Sequence, residues 1–172
     1  MDVRRWTGKA AGAIALPRDL DVWPGWRWSS LPWAETKAKR LMDCAAAIVG
    51  LATLAPIMVV VGVLVRLTSP GPALYAQTRV GQHGTRFTMW KFRTMTVEAE
   101  ADGQARWAQS NDPRVTPIGR YLRMWRVDEL PQLWNIWQGD MSLVGPRPER
   151  PEFVAALSRE LPGYDRRHAI KP

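Results

Sequence analysis

Two adjacent carboxylates, Asp128 and Glu129, and an arginine set between prolines, Pro146-Arg147-Pro148, are the residues of this sequence best suited to chemistry. Neighbouring side chains on a helix point about 100° apart, so the two acids could hold different tasks. Asp128 stands where an N-cap would stand for a helix over 129–137, since a carboxylate there accepts free backbone N–H groups. That is the purely structural reading of the residue. The same location keeps a carboxylate ionised and draws phosphate towards it, and a nucleophile attacking phosphorus needs both. The two prolines fix the backbone around Arg147, so its guanidinium is offered from a stiff loop, as a bidentate phosphate ligand would be. By composition alone the loop reads equally well as a Pro-rich surface turn carrying a solvated arginine.

The elements that must position these groups are short. Ile118, Leu122, Trp125 and Leu130 recur at helical spacing over 118–130, and Pro131 ends or restarts that helix. Leu133, Trp134 and Trp137 continue an apolar face until Gly139, a plausible stop. Upstream, Ser69-Pro70-Gly71-Pro72 is a turn, and 73–79 and 86–94 read as strands joined through Gly81 and Gly84. Alternation in the second strand places Phe87, Met89 and Lys91 on one side. The polar stretch 98–111 is expected to be a surface helix or loop.

Residues 44–65 form a run of 22 without a formal charge, bounded by Asp43 and Arg66. As a helix the run would extend about 33 Å, against a hydrocarbon core of about 30 Å. Pro56 lies at its midpoint, where it removes a hydrogen bond and favours a bend. Lys37, Lys39 and Arg40 precede the run and Arg66, Arg79, Arg86 and Lys91 follow it, so basic residues flank both ends. A re-entrant helix, broken at Pro56 and leaving on the side it entered, satisfies both facts if Thr53 or neighbouring protein covers the carbonyls near Ala52. A single kinked span and a buried core helix are the alternatives. Residues 1–36 carry five tryptophans with scattered prolines and arginines, which suits a headgroup region or a poorly ordered tail. No stretch there reads as a signal peptide.

The 172 residues suffice for one ordinary domain, and 46 % apolar with 23 % charged residues excludes both a disordered chain and a multi-span membrane protein. Cys44 is the single cysteine, and His83 and His168 are the two histidines, which leaves no internal disulfide and no dedicated transition-metal site. Of the net charge of +8, residues 37–97 contribute +7, from eight Lys or Arg against Asp43. Such a patch wants phosphate, whether on nucleic acid, on lipid headgroups or on a small substrate.

In order along the chain stand KRLMD at 39–43, RVG at 79–81, KFRTM at 91–95, DELPQLWN at 128–135, GDMSLVGPRPE at 139–149 and RRHAIKP at 166–172. This series over residues 37–172 resembles the bacterial sugar transferases, the monotopic phosphoglycosyl transferases. The resemblance implies transfer of a sugar 1-phosphate from a UDP-sugar to undecaprenyl phosphate with release of UMP, assisted by Mg²⁺. It makes Asp128 the nucleophile that forms a covalent phosphosugar intermediate, Glu129 the magnesium ligand and Arg147 a phosphate clamp, helped by Lys91, Arg93 and Arg123. It implies a plasma-membrane protein with a cytoplasmic catalytic domain, anionic lipids around it, downstream glycosyltransferases as partners and no nucleic acid.

The expected fold is α+β, helix-dominated, with a small hairpin. The expected organisation is an N-terminal arm (1–36), a membrane-embedded re-entrant helix (37–66) and a catalytic domain (67–172). Two departures from the family pattern stand out. Arg123-Met124-Trp125-Arg126-Val127 replaces small hydroxyl residues before the acid pair, and the glycine-rich segment that follows Lys-Pro in the family is not found after Pro172. The second departure motivates the alternative, a truncated, catalytically inactive membrane-anchored remnant or scaffold. A nucleic-acid module is a further rival, suggested by the basic patch with Phe87, Trp90 and Phe92, and opposed by the apolar run inside that patch.

Overall fold

The computed structural model describes residues 36–101, 106–109 and 111–172. The arm 1–36, apart from Thr36, lies outside the described residues. Helix α1 (Lys37–Thr68) opens on Thr36, whose side chain accepts from the Lys39 backbone N–H at 3.1 Å. The helix ends at Ser69, where the chain turns through Gly71, held at φ 108°. Strands β1 (Leu74–Val80) and β2 (Arg86–Phe92) form an antiparallel pair in the register Tyr75 to Lys91, Gln77 to Met89 and Arg79 to Phe87. Directly opposed residues share a face. The alternation expected for Phe87, Met89 and Lys91 therefore holds, and Tyr75, Gln77 and Arg79 join them on that side.

Helix α2 (Pro117–Met124) starts at the Thr116 cap, with Pro117 in the first turn where its missing N–H costs nothing. It stops sooner than the apolar spacing suggested. Arg126 adopts φ 55°, a left-handed conformation that no helix continues through, and a separate 3₁₀ turn (Val127–Glu129) follows. Helix α3 (Gln132–Gln138) ends at Gly139, whose φ of 99° is the expected stop. Helix α4 (Pro151–Glu160) and a 3₁₀ segment (Tyr164–Ala169) complete the described chain. The fold is thus helix-rich with a two-stranded sheet, and the polar stretch after Met95 supplies only a 3₁₀ turn at Val97–Glu100 among the described residues.

Two small apolar clusters hold these elements together, and α1 contributes to both. Its first half puts Ala47 with Met89, Ile136 and Met141, and its second half puts Val61 and Val65 with Phe92 and Leu122. Polar locks reinforce each end. Lys39 and Asp43 form a buried ion pair, and the Ser142 hydroxyl accepts from Lys39 Nζ at 2.6 Å while donating to Asp43 Oδ2 at 2.9 Å. Arg40 donates to the Ile136 and Trp137 carbonyls, both at 2.6 Å, filling the open carbonyl end of α3. At the other end Arg93 donates to the Ser69 carbonyl at 2.8 Å and to the Pro70 carbonyl.

Both ends of α1 are therefore seated on one body, while no residue between Ala47 and Val61 is buried. Ile48, Val49, Ile57, Val59, Val60 and Val63 are at least half exposed. Only 11 % of the most apolar window of α1 is covered, which overturns the core-helix alternative. The helix continues through Pro56 rather than ending there, so a re-entrant course requires a bend in a continuous helix and not a gap in it. One absent N–H removes a single rung from a helix of 32 residues, and the rungs on either side persist. Thr53 Oγ1 donates to the Val49 carbonyl at 2.8 Å rather than covering Ala52.

Asn135 joins α3 to the edge of β2. Its side chain is fully buried, accepts from the Trp90 backbone N–H at 3.0 Å and donates to the Thr88 carbonyl at 2.7 Å. An amide thus takes the place of a third strand.

Candidate active site

Asp128 sits in the 3₁₀ turn between α2 and α3, and it does not cap α3, whose N-cap is Pro131. The proline displaces the helix start by three residues, so the capping role expected for Asp128 is not the one it fills. The residue is 8 % exposed. Burial, then the neighbouring Glu129, push its carboxyl above the ordinary carboxylate value, and Lys91 and Arg123 oppose that rise. A buried acid whose pKa is raised while two cations oppose the rise is a functional-site candidate.

Lys91, on β2, is a cation whose charge acts on Asp128. Its ammonium lies 5.5 Å from the centroid of the Tyr75 ring on the paired strand. Burial first, then Arg79, Arg123 and Arg147, lower its pKa to about 8, with Asp128 pulling the other way. Arg123 reaches the same place from α2, where Thr94 Oγ1 accepts from its Nε at 2.8 Å and leaves the terminal nitrogens for another partner. Arg93, expected among the phosphate ligands, is engaged elsewhere: it is buried and its guanidinium serves Ser69 and Pro70 at the end of α1. Lys91, two positions earlier, is instead a cation whose charge acts on Asp128.

Glu129 is more open, with its side chain 25 % exposed. Its Oε1 accepts from Arg147 Nη2 at 2.9 Å and its Oε2 from Arg126 Nη1 at 3.1 Å. The left-handed Arg126 thereby stiffens the turn that presents both acids. The sequence flagged Arg126 only as a departure from pattern.

The sequence offered Arg79 as part of a motif and as one of the basic residues after the apolar run, and the structure gives it a task. It is buried and lies on the same hairpin face as Lys91, where its Nη1 donates to the Pro148 carbonyl at 3.1 Å and its Nη2 to Gln77 Oε1 at 2.6 Å. Next to it the Val80 backbone N–H donates to the Glu149 carbonyl at 2.9 Å. The loop that carries Arg147 is thus pinned to β1. Gln77 and Arg79 at alternate positions of a strand are the signal that could have found it.

The donor set bears on a divalent cation. No group of three or more His, Cys, Asp or Glu side chains is assembled among the described residues, so there is no all-protein cage. Magnesium commonly uses one or two carboxylates and takes the rest of its shell from water and substrate phosphates. Glu129 fits that requirement: it is a hard oxygen donor, and the arginines it would release are 58 % and 71 % exposed at their side chains.

Residues 34–172 match the model of the family described as bacterial sugar transferase. A Bacillus subtilis protein that carries the name of an undecaprenyl-phosphate N-acetylgalactosaminyl 1-phosphate transferase is 50 % identical over 129 residues, covering 75 % of this chain and 72 % of that relative. The UDP-N-acetylgalactosamine-undecaprenyl-phosphate N-acetylgalactosaminephosphotransferase of Aeromonas hydrophila is 46 % identical over 134 residues, 78 % of this chain and 31 % of its own length. The UDP-glucose:undecaprenyl-phosphate glucose-1-phosphate transferase of Escherichia coli is 41 % identical over 134 residues, again 78 % of this chain and 29 % of its own. The chain spans less than a third of these last two relatives.

Proposed function

We propose that this chain, which belongs to the bacterial sugar transferase family, moves a sugar 1-phosphate from a UDP-sugar to undecaprenyl phosphate. An Asp128 carboxylate oxygen attacks the phosphorus that bears the sugar. The bond from that phosphorus to the bridging oxygen breaks, UMP leaves, and an aspartyl phosphosugar remains. A phosphate oxygen of undecaprenyl phosphate then attacks the same phosphorus and the carboxylate departs, so that neither step creates or consumes a bond overall. An anion approaching a diphosphate is repelled unless cations surround it. The charges of Lys91 and Arg123 act on Asp128, and Arg147, bonded to Glu129, would take the phosphate oxygens. Glu129 would hold Mg²⁺, which supplies further charge neutralisation at the phosphates.

The observation that carries this reading is the convergence itself. Residues from β2, α2, the 127–129 turn and the Pro146–Pro148 loop, distant in sequence, place three cations around two acids. Membrane attachment follows from α1, one face of which is apolar and uncovered while both ends bind the catalytic unit. Trp134 and Trp137, with ring centroids 4.6 Å apart and more than two-fifths exposed, lie on α3 alongside it and suit a headgroup region. We read the helix as entering and leaving on the cytoplasmic side of the plasma membrane. There its lipid acceptor and the soluble donor can meet, and anionic lipids and later glycosyltransferases would be neighbours. The reading predicts UMP release and a trapped phosphosugar adduct when the protein is incubated with a panel of UDP-sugars and Mg²⁺. A folded sample that releases no UMP from any donor would refute it.

A further inference from the structure

Helix α2 carries more apolar surface than its packing uses. Ile118 and Leu122 pack with Val61, Val65 and Phe92, which seats α2 on the second half of α1. Tyr121, Met124 and Trp125 lie outside that cluster and are 61, 63 and 75 % exposed. Tyr121 and Met124 are three apart, hence neighbours on the helix surface, and Trp125 closes the helix after them. One exposed apolar side chain is ordinary, whereas a contiguous group of three marks a surface that something else covers. Met124 and Trp125 also stand where small hydroxyl residues are the family pattern, and their exposure shows that the larger side chains serve no core.

The charge around this surface has one sign. Residues 113–127 hold Arg114, Arg120, Arg123 and Arg126 and no acid. Arg120 is exposed, and so is the Arg126 side chain. Of the acids that follow, Asp128 is buried and Glu129 is shared between Arg126 and Arg147. An aromatic and thioether patch edged with arginine suits a lipid headgroup layer. The Tyr and Trp rings rest at its apolar boundary with O–H and N–H left wet, and guanidinium groups meet lipid phosphates. The supporting element agrees, because the half of α1 that carries α2 leaves Val60, Val63 and Leu67 at least half exposed. A second copy of this chain is the poorer occupant, since a two-fold pairing would bring the same arginines against one another.

We propose that the exposed end of α2, formed by Tyr121, Met124 and Trp125 with Arg120 and Arg126, seats in the headgroup layer of an anionic membrane as a second contact beside α1. The inference rests on the membrane attachment read above. Its consequence is orientation: two contacts hold the catalytic unit at one tilt to the bilayer where a lone helix would let it rock. Asp128 stands three positions after Trp125, so seating this end sets the acid-bearing turn at the level of a lipid-borne phosphate.

Site-directed fluorescence of the full chain in vesicles tests this. With Cys44→Ser as background, Tyr121→Cys and Ile57→Cys each carry an environment-sensitive fluorophore. The vesicles are phosphatidylcholine with or without phosphatidylglycerol, doped with lipid bearing a nitroxide at the headgroup or on the acyl chain. Emission of the Tyr121 probe should shift to the blue and be quenched by headgroup nitroxide, more strongly with phosphatidylglycerol present. Raising salt from about 0.1 M to about 1 M shortens the screening length from about 10 Å to about 3 Å and should remove that difference. Arg120→Gln should reduce quenching in the anionic vesicles, and Met124→Ser combined with Trp125→Ser should abolish it in both. These side chains are exposed, so the variants should melt as the parent does. A Tyr121 probe that stays water-like, or is quenched equally with and without phosphatidylglycerol, overturns the proposal. So does a blue shift without quenching by lipid nitroxide, which burial against a second copy would produce. If the Ile57 probe is still quenched by acyl-chain nitroxide, only the α2 contact falls; if neither probe is quenched, membrane attachment falls with it.

Discussion

Arg147 and Glu129, 18 positions apart, are joined by a hydrogen bond of 2.9 Å from Nη2 to Oε1. The arginine is 58 % exposed at its side chain, so the pair contributes little to stability. Its consequence is placement. The stiff loop between Pro146 and Pro148 delivers a guanidinium to the turn carrying both acids, and a phosphate entering there can take the arginine from Glu129 at small cost. In the proposed reaction Glu129 would then be released for a cation as the polyanion arrives.

Asp128→Asn should abolish the covalent adduct and lower transfer on the order of 10³-fold or more, as loss of a nucleophile does. The same variant should melt at a higher temperature near neutral pH. The carboxyl pKa is raised by burial and by Glu129, so the folded state holds the proton more tightly than the unfolded chain. Its ionisation therefore removes stability as pH rises through the folded value, and an uncharged amide avoids that loss. In activity the same shift moves the acid limb of the pH profile above the usual carboxylate range. A thermal melt beside adduct trapping by mass spectrometry checks both, and a variant that melts lower with its adduct intact would contradict them.

Lys91 should set the alkaline limb. Its pKa is brought down to about 8 chiefly by burial, so above that pH the ammonium beside Asp128 loses its proton and the incoming diphosphate loses a neutralising charge. Transfer should fall as pH rises through about 8. Lys91→Arg, which keeps its charge throughout this range, should move the limb to higher pH even where it lowers the maximal rate. Rate measurements from pH 6.5 to 10 in both proteins decide it; identical limbs would exclude Lys91 as the titrating group.

Much of this arrangement was legible in the sequence because it resides in local patterns. The hairpin alternation of Phe87, Met89 and Lys91, the Gly139 stop and the uncharged run in α1 all follow from period and residue type. What escaped depends on tertiary partners. Arg93 looks like Lys91 in sequence, yet it ties off the end of α1, because the Ser69 and Pro70 carbonyls come within reach of its guanidinium only once the chain has folded. The left-handed Arg126 carries no turn residue to announce it, and it cuts the expected helix over 118–130 at Met124. Pro131 moved the start of α3 away from Asp128. The task of Arg79 appears only when the loop after Gly145 folds back onto β1.

Arg79→Lys should test that last contact. A lysine keeps the charge but cannot donate to Pro148 and Gln77 together, so the loop loosens and Arg147 is presented less accurately. Misplacement of about 1 Å at a catalytic group costs up to roughly 100-fold. Transfer should fall roughly 10- to 100-fold, more in kcat than in KM, while the melting temperature moves little. An equal loss in Arg79→Lys and Arg79→Gln, matched by an equal loss of stability, would make the residue structural only.

Asn135→Ala should be among the most destabilising substitutions in the fold. It strands the Trp90 N–H and the Thr88 carbonyl at the edge of β2, partly covered groups that each cost up to about 1–3 kcal/mol when unpaired. A loss of roughly 2–5 kcal/mol in chemical denaturation is expected, together with faster amide exchange in β2. Asn135→Asp keeps the acceptor for Trp90 but sets a buried carboxylate against the Thr88 carbonyl and Asp140, so it should be no more stable than Asn135→Ala.

The topology of α1 yields to cysteine accessibility. A single span would carry its two ends to opposite faces of the membrane, yet Asp43 is tied to Ser142 and Ser69 to Arg93 within one folded unit. With Cys44→Ser as background, Lys37→Cys and Thr68→Cys should both react with a membrane-impermeant maleimide in inside-out vesicles and both resist it in intact spheroplasts. A third site, Ile57→Cys, at the exposed apolar middle of the helix, should resist the reagent in both preparations because it lies in hydrocarbon. Labelling of Lys37→Cys and Thr68→Cys from opposite sides would require the catalytic unit to release one end of the helix, contrary to the locks at both.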